Sequence, residues 1–248
     1  MNAMILAAGL GTRLRPWTLS HPKALVPVAG TPMLERVIGS LHNQGFDHIT
    51  INVHHFSGQI TDFISGHTFA PRIEISDESE LLLDTGGGIA HAADKLFAKG
   101  NDVLIHNVDI LSDADLRGLM KRHSASGSYA TLLCSQRESS RKLICSSDGI
   151  LRGWHNSKTN EYRPTGFSPD TGDDEVAFSG IYVLSRQAVS DMIIFGAAKP
   201  FPIMDFLLSS CQAKEIRIEI DKELNLLDIG KPETLARANE LPEIIRQE

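Results

Sequence analysis

The chain has 248 residues, 42% of them hydrophobic and 22% charged, with a net charge of −7 at pH 7. That length and composition belong to a globular protein able to bury a real core in one large domain. The acidic balance argues against nucleic acid as a partner, because no cationic surplus exists to neutralise a phosphate backbone.

The N-terminal run 3–8 is apolar and predicts a short buried strand. It breaks into Gly9-Leu10-Gly11-Thr12-Arg13, where two glycines permit a tight turn with N–H groups close to a ligand. Arg13, Arg15 and Lys23 bring three cations to this loop, a setting suited to a polyphosphate. The loop is neither a Walker loop nor a G-x-G-x-x-G fingerprint, since position 14 is Leu in both alignments.

Positions 32–45 predict a helix that opens on Pro32 and closes on Gly45, with Met33, Leu34, Val37, Ile38 and Leu41 on one face. A strand over 48–53, a helix over 56–64 and a strand over 72–75 follow. This alternation implies right-handed crossovers and a mostly parallel sheet. A polar loop over 77–84 leads into Thr85-Gly86-Gly87-Gly88, read as a loop opening a helix from Ile89. An apolar strand over 102–106 ends in Asn107-Val108-Asp109, and a helix follows with Ser112 or Asp113 as its cap.

A strand is expected over 128–134, then a hairpin of 143–145 with 150–154, turned by Asp148-Gly149. The stretch 155–174 reads as a long surface loop or lid. Strand 176–184, helices 185–193 and 202–211, strands 214–219 and 224–229, and a closing helix 231–239 with Pro232 in its first turn complete the chain. Nothing repeats internally, and no hexapeptide pattern marks an appended β-helix.

Asp109 sits at a strand end, where ligands collect in open α/β sheets, and a carboxylate there suits Mg²⁺; an Asp at such a place also caps helices. The ten histidines form no H-x-x-x-H with a third ligand, and no G-x-S-x-G elbow is present, so zinc and triad chemistry are set aside. Cys134, Cys145 and Cys211 are widely spaced without a C-x-x-C, which predicts buried reduced thiols in a cytoplasmic protein. No apolar run approaches the roughly 20 residues of a membrane span, and no secretion signal is read at the N-terminus.

The strings LAAGLGTRLRPWT (6–18) and PKALVPVAGTPML (22–34) closely resemble the signature of the sugar-1-phosphate nucleotidyltransferases. Those enzymes join a sugar 1-phosphate to a nucleoside triphosphate and release pyrophosphate. The resemblance implies a Rossmann-like three-layer α/β/α sandwich with a mixed, mainly parallel twisted sheet. It implies a single domain over 1–248, with a nucleotide half of about 1–110 and a sugar half of about 111–248. It assigns Ala8, Gly9, Gly11, Thr12, Thr85, Gly86, Gly87 and Gly88 to the nucleotide, the last three as a flat backbone surface for the base. Arg13 would bind the β- and γ-phosphates, and Lys23 would neutralise charge growing on the α-phosphate.

Asp109 and Asp228 would hold Mg²⁺; the second lies in Asn225-Leu-Leu-Asp228-Ile-Gly230-Lys-Pro-Glu233, which matches a family element and also reads as a cap before the last helix. Where the family has Gly-Asp this chain has Val108-Asp109, keeping only the Asp. Ser179 and Gly180, in Phe178-Ser179-Gly180, match positions that make room for the sugar. Either Arg141 or Lys142 stands near the family's second cation, with the choice open, and Arg15 is as readily a surface charge.

The implied partners are a nucleoside triphosphate and a sugar 1-phosphate, without nucleic acid or membrane, in a cytoplasmic monomer or small homo-oligomer. The compact length and the Asp84-Thr-Gly-Gly-Gly-Ile89 form are most similar to the uridylyltransferase branch that takes N-acetylmuramate 1-phosphate in peptidoglycan recycling. No aromatic in 77–90 offers to stack a larger base. That branch implies UTP, and cations such as Arg141, Lys142 or Arg152 for the lactyl carboxylate, with 155–174 closing over it. Mannose-1-phosphate guanylyltransferase-like, choline-phosphate cytidylyltransferase-like and catalytically inactive readings stand as alternatives.

Overall fold

The computed structural model describes residues 1–197 and 199–240. The chain begins with β1 (Asn2–Leu6), three short 3-10 turns, a two-strand ribbon β2 (Pro27–Val28) and β3 (Thr31–Pro32), and α1 (Met33–Asn43). It continues through β4 (His48–Val53), α2 (Ser57–Ser65), β5 (Arg72–Asp77), α3 (Asp84–His91) and β6 (Asp102–Asn107). The second half contains β7 (Ile110–Ser112), α4 (Leu116–Ser126), β8 (Ala130–Ser135), β9 (Arg141–Cys145), β10 (Leu151–Asn156), β11 (Glu161–Arg163) and β12 (Asp174–Ser185). It closes with α5 (Arg186–Gly196), α6 (Ile203–Ser210), β13 (Ile216–Ile220), β14 (Leu226–Asp228) and α7 (Pro232–Glu240).

Ten strands form one sheet in the order β11-β10-β9-β12-β6-β1-β4-β5, with β8 pairing β12 and β13 pairing β8. The pairings β1–β4, β1–β6, β4–β5 and β8–β13 are parallel. Among the described residues only β12 and β10 run against the other strands, so the sheet is mixed and mostly parallel. The sheet runs through both halves of the chain, joined where β12 pairs antiparallel with β6.

Alternate residues of each strand feed opposite layers. Ala3 and Ile5 pack with α1, α2, α4 and α7 through Leu34, Ile60, Leu119 and Ala238. Met4 and Leu6 pack on the other face with α3, α5 and α6 through Ile89, Met192 and Phe206. The result is a three-layer α/β/α sandwich. Gly45 closes α1 with φ +89, a left-handed conformation that favours Gly, and its N–H donates to His42 O at 2.8 Å.

Four local expectations are corrected. Thr85–Gly88 is not a loop before a helix but lies inside α3. The amides of Gly86 and Gly87 donate to the Phe201 carbonyl at 2.9 and 3.1 Å, and a Cβ on Gly86 would stand 2.9 Å from that same oxygen. Glycine therefore serves close packing of α3 against the 201 segment, and the helix ends at His91, well short of Gly100. The stretch 155–174 is only partly irregular: β10 runs on to Asn156 and returns through β11, with His155 stacked on Tyr162 at 4.2 Å between ring centres. The cap of α4 is Asp115, whose Oδ1 accepts from Gly118 N at 2.8 Å. Asp113 instead accepts from Asn225 N (2.9 Å) and Nδ2 (2.6 Å), which fixes the approach to β14, and Ser112 is the last residue of β7.

Candidate active site

Parallel strands leave the sheet at a common edge, and Leu6, the last residue of β1, lies between Asn52 of β4 and Asn107 of β6. The loop 7–32 leaves from this edge beside Val108-Asp109, whose Val108 N donates to Leu6 O at 3.2 Å. Gly11 has φ +62, and a Cβ there would lie 2.9 Å from both Lys23 Cβ and Thr18 Cγ2. Only glycine lets the loop fold back so tightly on Lys23. Thr18 Oγ1 locks the fold by donating to Gly11 O at 2.9 Å.

This folding aims Lys23 at the end of β6. Its Nζ forms an ion pair with Asp109 Oδ2, and the two side chains are only 12% and 15% exposed. β14 pairs antiparallel with β7, which sets Asp228 opposite Ile110, and Ile229 N donates to Asp109 O at 2.9 Å. Asp228 thus stands beside Asp109, although 119 positions separate them in the chain. Gly230 N donates to Asp228 Oδ1 at 2.8 Å. A Cβ on Gly230 would lie 2.8 Å from Asp228 Oδ1, 3.1 Å from Asp109 Oδ2 and 2.5 Å from Arg13 Nη2. Two carboxylates and a guanidinium therefore converge on one point that glycine keeps clear. Arg13 Nη1 is 4.0 Å from Asp228 Oδ2.

A cavity of about 460 Å³ opens at this edge, lined by Ala8, Gly9, Lys23, Asn52, Asp84, Thr85, Asn107 and Asp109, with Leu6, Leu82 and Pro200 as apolar wall. Ala8, Gly9 and Thr85 thus reach it. Gly86 to Gly88 are buried, Gly11 is half-buried, and Thr12, Arg13 and Arg15 are exposed, with Arg13 reaching Asp228. The amides of Gly86 and Gly87 are occupied by Phe201, which corrects the expectation that they face the base.

A second cavity, of about 660 Å³, shares Thr85 and Asn107 with the first and begins at Asp228 and Gly180. Gly180 has φ +81 in an irregular stretch of β12, and a Cβ there would stand 2.6 Å from Asn107 Nδ2. Ser179 lines this cavity too, but its hydroxyl serves the irregularity, accepting from Ile181 N at 3.0 Å. Outward, the cavity runs beneath β9, β10 and β11, between Phe178, Trp154, Arg137, Arg141, Lys142 and Arg163. Arg137 Nη2 donates to Phe178 O at 2.8 Å, Arg163 Nη2 to Asp205 Oδ1 at 2.8 Å, and Lys142 Nζ is 3.8 Å from Glu175. The Arg141 guanidinium has no ion pair among the described residues.

Arg152 is not part of this cavity. It is held by Asp170 and Asp173 and lines a separate cavity with Phe167 and Cys211, which corrects its place among the cations considered for the lactyl carboxylate. The sequence reading missed Asn52, Glu78, Asn107, Arg137, Trp154 and Arg163. An Asn inside otherwise apolar strand sequence was the available signal for Asn52, whereas Glu78 lies in the polar run after β5 and gave none. Glu78 is 3% exposed, and burial pushes its carboxyl above the ordinary range, opposed by hydrogen bonds from Asn52 and Leu83 N. All three thiols are buried and free, and burial raises each, Cys145 to about 11. No described helix is long and apolar enough to cross a membrane.

Residues 2–243 match the family model described as Nucleotidyl transferase. An N-acetylmuramate alpha-1-phosphate uridylyltransferase from Caulobacter vibrioides is 43% identical over 114 residues, which are 43% of this chain and 45% of that protein. A mannose-1-phosphate guanylyltransferase from Mycobacterium tuberculosis is 36% identical over 133 residues, 53% of this chain and 36% of that protein. The chain thus spans less than half the length of these two curated relatives. The crystal structure of HddC from Yersinia pseudotuberculosis superposes with a TM-score of 0.78 at 22% identity, covering 97% of this chain and 99% of that one, a likeness of fold.

Proposed function

The chain belongs to the nucleotidyl transferase family, and from that premise we propose that it joins a sugar 1-phosphate to a nucleoside triphosphate with release of pyrophosphate. The observation that carries this reading is the convergence of Arg13, Asp109 and Asp228 on the point beside Gly230, where the two cavities meet. The first cavity takes the nucleotide and the second the sugar phosphate. A phosphate oxygen of the sugar attacks the α-phosphorus, the bond from that phosphorus to the β-bridging oxygen breaks, and pyrophosphate carries away the electron pair. Positioning and electrostatics do this work, and no protein nucleophile takes part.

Lys23 meets the charge that grows on the α-phosphate, for which its ammonium must turn from Asp109. Arg13, exposed and beside Asp228, meets the leaving pyrophosphate. Asp109 and Asp228 would hold Mg²⁺. Among the described residues no three His, Cys, Asp or Glu side chains gather into a metal cluster. Two carboxylates about an open point suit a cation that draws its other ligands from phosphate and water. When bound, Mg²⁺ supplies countercharge to the triphosphate and polarises its phosphoryl oxygens.

For the substrates, the reading is UTP and N-acetylmuramate 1-phosphate. The Caulobacter relative's name supports it, as do a nucleotide cavity without an aromatic ring in its lining and a roomy second cavity in which Arg141 is available for a carboxylate. GTP with mannose 1-phosphate is the second reading, favoured by the longer matched stretch of the Mycobacterium relative. Buried free thiols are in keeping with a cytoplasmic setting, and the substrate pair with peptidoglycan recycling. The test is kcat/KM across UTP, GTP, CTP and ATP, each paired with muramate and mannose 1-phosphates. The UTP–muramate pair is expected to lead; leadership by GTP with mannose 1-phosphate would replace the substrates and keep the reaction.

A further inference from the structure

Asn52 is 2% exposed at the carboxyl end of β4, and both ends of its amide are engaged. Its Oδ1 accepts from Ala7 N at 2.8 Å, at the entrance of the loop that carries Gly9, Gly11 and Lys23. Its Nδ2 donates to Glu78 Oε1 at 2.8 Å. Glu78 lies one residue past β5, and its Oε2 accepts from Leu83 N at 3.4 Å, immediately before Asp84 and Thr85. Among the described residues no cation forms an ion pair with Glu78. A buried carboxylate without a countercharge is costly, and the hydrogen bonds from Asn52 Nδ2 and Leu83 N offset part of that cost.

The three bonds run from one wall of the nucleotide cavity to the other. Ala8 and Gly9, which follow Ala7, form the phosphate side, and Asp84 and Thr85 form the side where α3 begins. The helix itself rests on the pair, since a Cβ on Gly88 would stand 2.6 Å from Glu78 Oε1 and 2.8 Å from Asn52 Nδ2. Gly88 is thus required by the amide–carboxylate pair beneath it.

We infer that Asn52 and Glu78 are positioning residues that fix the spacing between the phosphate loop and the opposite wall, and so set nucleotide affinity without touching the sugar phosphate. The inference rests on the nucleotide reading of the 460 Å³ cavity.

The polarity of the pair supplies its own test. In N52D two acidic groups face each other, and in E78Q one acceptor is lost. In the double variant N52D/E78Q, the carboxylate introduced at position 52 can accept from Ala7 N and from the amide introduced at position 78. The oxygen of that new amide accepts from Leu83 N. All three bonds and the net charge return. Calorimetric titration of each full-length protein with nucleoside triphosphates is expected to show roughly ten- to hundredfold weaker binding in the single variants, about 1.4 to 2.7 kcal/mol. The double variant should bind within about threefold of wild type, and KM for the sugar 1-phosphate should be unchanged throughout.

Loss of the same size in both substrates, or a double variant no better than the singles, overturns the inference. Should N52D fail to fold, the double variant alone decides, because it must fold and bind as the wild type does. A wild-type chain that binds no nucleoside triphosphate instead overturns the functional reading on which the inference stands.

Discussion

Around the first cavity the polar groups hold one another: Lys23 with Asp109, Asn52 with Ala7 N and Glu78, Glu78 with Leu83 N. Around the second cavity the outer wall is a set of long side chains on β9, β10 and β11 at the sheet's edge, with Arg141 in no ion pair among the described residues and Arg163 set beside the face of Trp154, 5.8 Å from its ring centre. The first region grows from β1, flanked on both sides by parallel strands, so its loops inherit the order of the sheet's centre. The second lies at an edge hairpin of the sheet, where Arg137, Lys142 and Arg163 each have a partner outside the hairpin's own backbone ladder. Asn52 and Glu78 hold the cavity wall in place, while Lys23 must leave Asp109 for the proposed chemical step. Adjustable cations and an aromatic suit the choice of one sugar over another.

Four expected outcomes would break or sharpen this contrast. The largest is at the junction. Asp109→Asn and Asp228→Asn should each lower kcat by about three orders of magnitude with circular dichroism unchanged, since each removes a charge facing a triphosphate and its cation. Near-normal turnover in either variant would remove the junction from the account. Next is the loop: Lys23→Ala should lower kcat by on the order of 3 kcal/mol while moving KM less, and Arg13→Ala should act chiefly on triphosphate affinity. A change confined to KM in Lys23→Ala would make it a binding residue only.

The third is a pH dependence of stability at the strand where the regions join. His106 of β6 is buried with Nδ1 2.8 Å from the Asn107 carbonyl oxygen, and burial lowers its pKa from 6.5 to about 4. The unfolded chain takes up that proton near pH 6.5 and the folded chain does not. Stability should therefore be intact above pH 6.5 and fall by about 1.4 kcal/mol per unit as pH drops toward the folded value. Burial lowers His123 in the same direction and adds to the slope. Thermal melts of the wild type and His106→Gln between pH 7.5 and 5 measure it, and equal slopes would dismiss His106. The smallest is at the edge: Arg141→Ala should raise KM for an acidic sugar 1-phosphate about tenfold and leave nucleotide affinity alone, whereas Arg152→Ala should change neither, its partners being Asp170 and Asp173.

Lys23 and Asp228 drew notice because they sit in strings that resemble family motifs, and Asp109 because it follows an apolar strand; that the three stand together is seen only in the fold. Asn52 and Glu78 were hidden because their meaning comes from strand pairing: only when Leu6 lies beside Asn52 does its amide meet Ala7 N. Gly86 to Gly88 look like a helix breaker in one dimension. The helix forms because the Phe201 carbonyl, over a hundred residues on, accepts their first amides and leaves no space for a Cβ. β11 escaped notice because an exposed edge strand shows little apolar alternation, and Glu161-Tyr162-Arg163 owes its place to pairing with Trp154–Asn156. The alternation of strands and helices in the first half, by contrast, followed from apolar periodicity, which is a local property, whereas the strand order is seen only in the fold.

The account stands on coupling between the two cavities at Asp109 and Asp228. Pyrophosphate released from UTP should be measured with and without a sugar 1-phosphate, using the wild type and the two Asn variants. Release should appear only when both substrates are present and should vanish in both variants. Release from UTP alone at the same rate, or undiminished release in either variant, would contradict it.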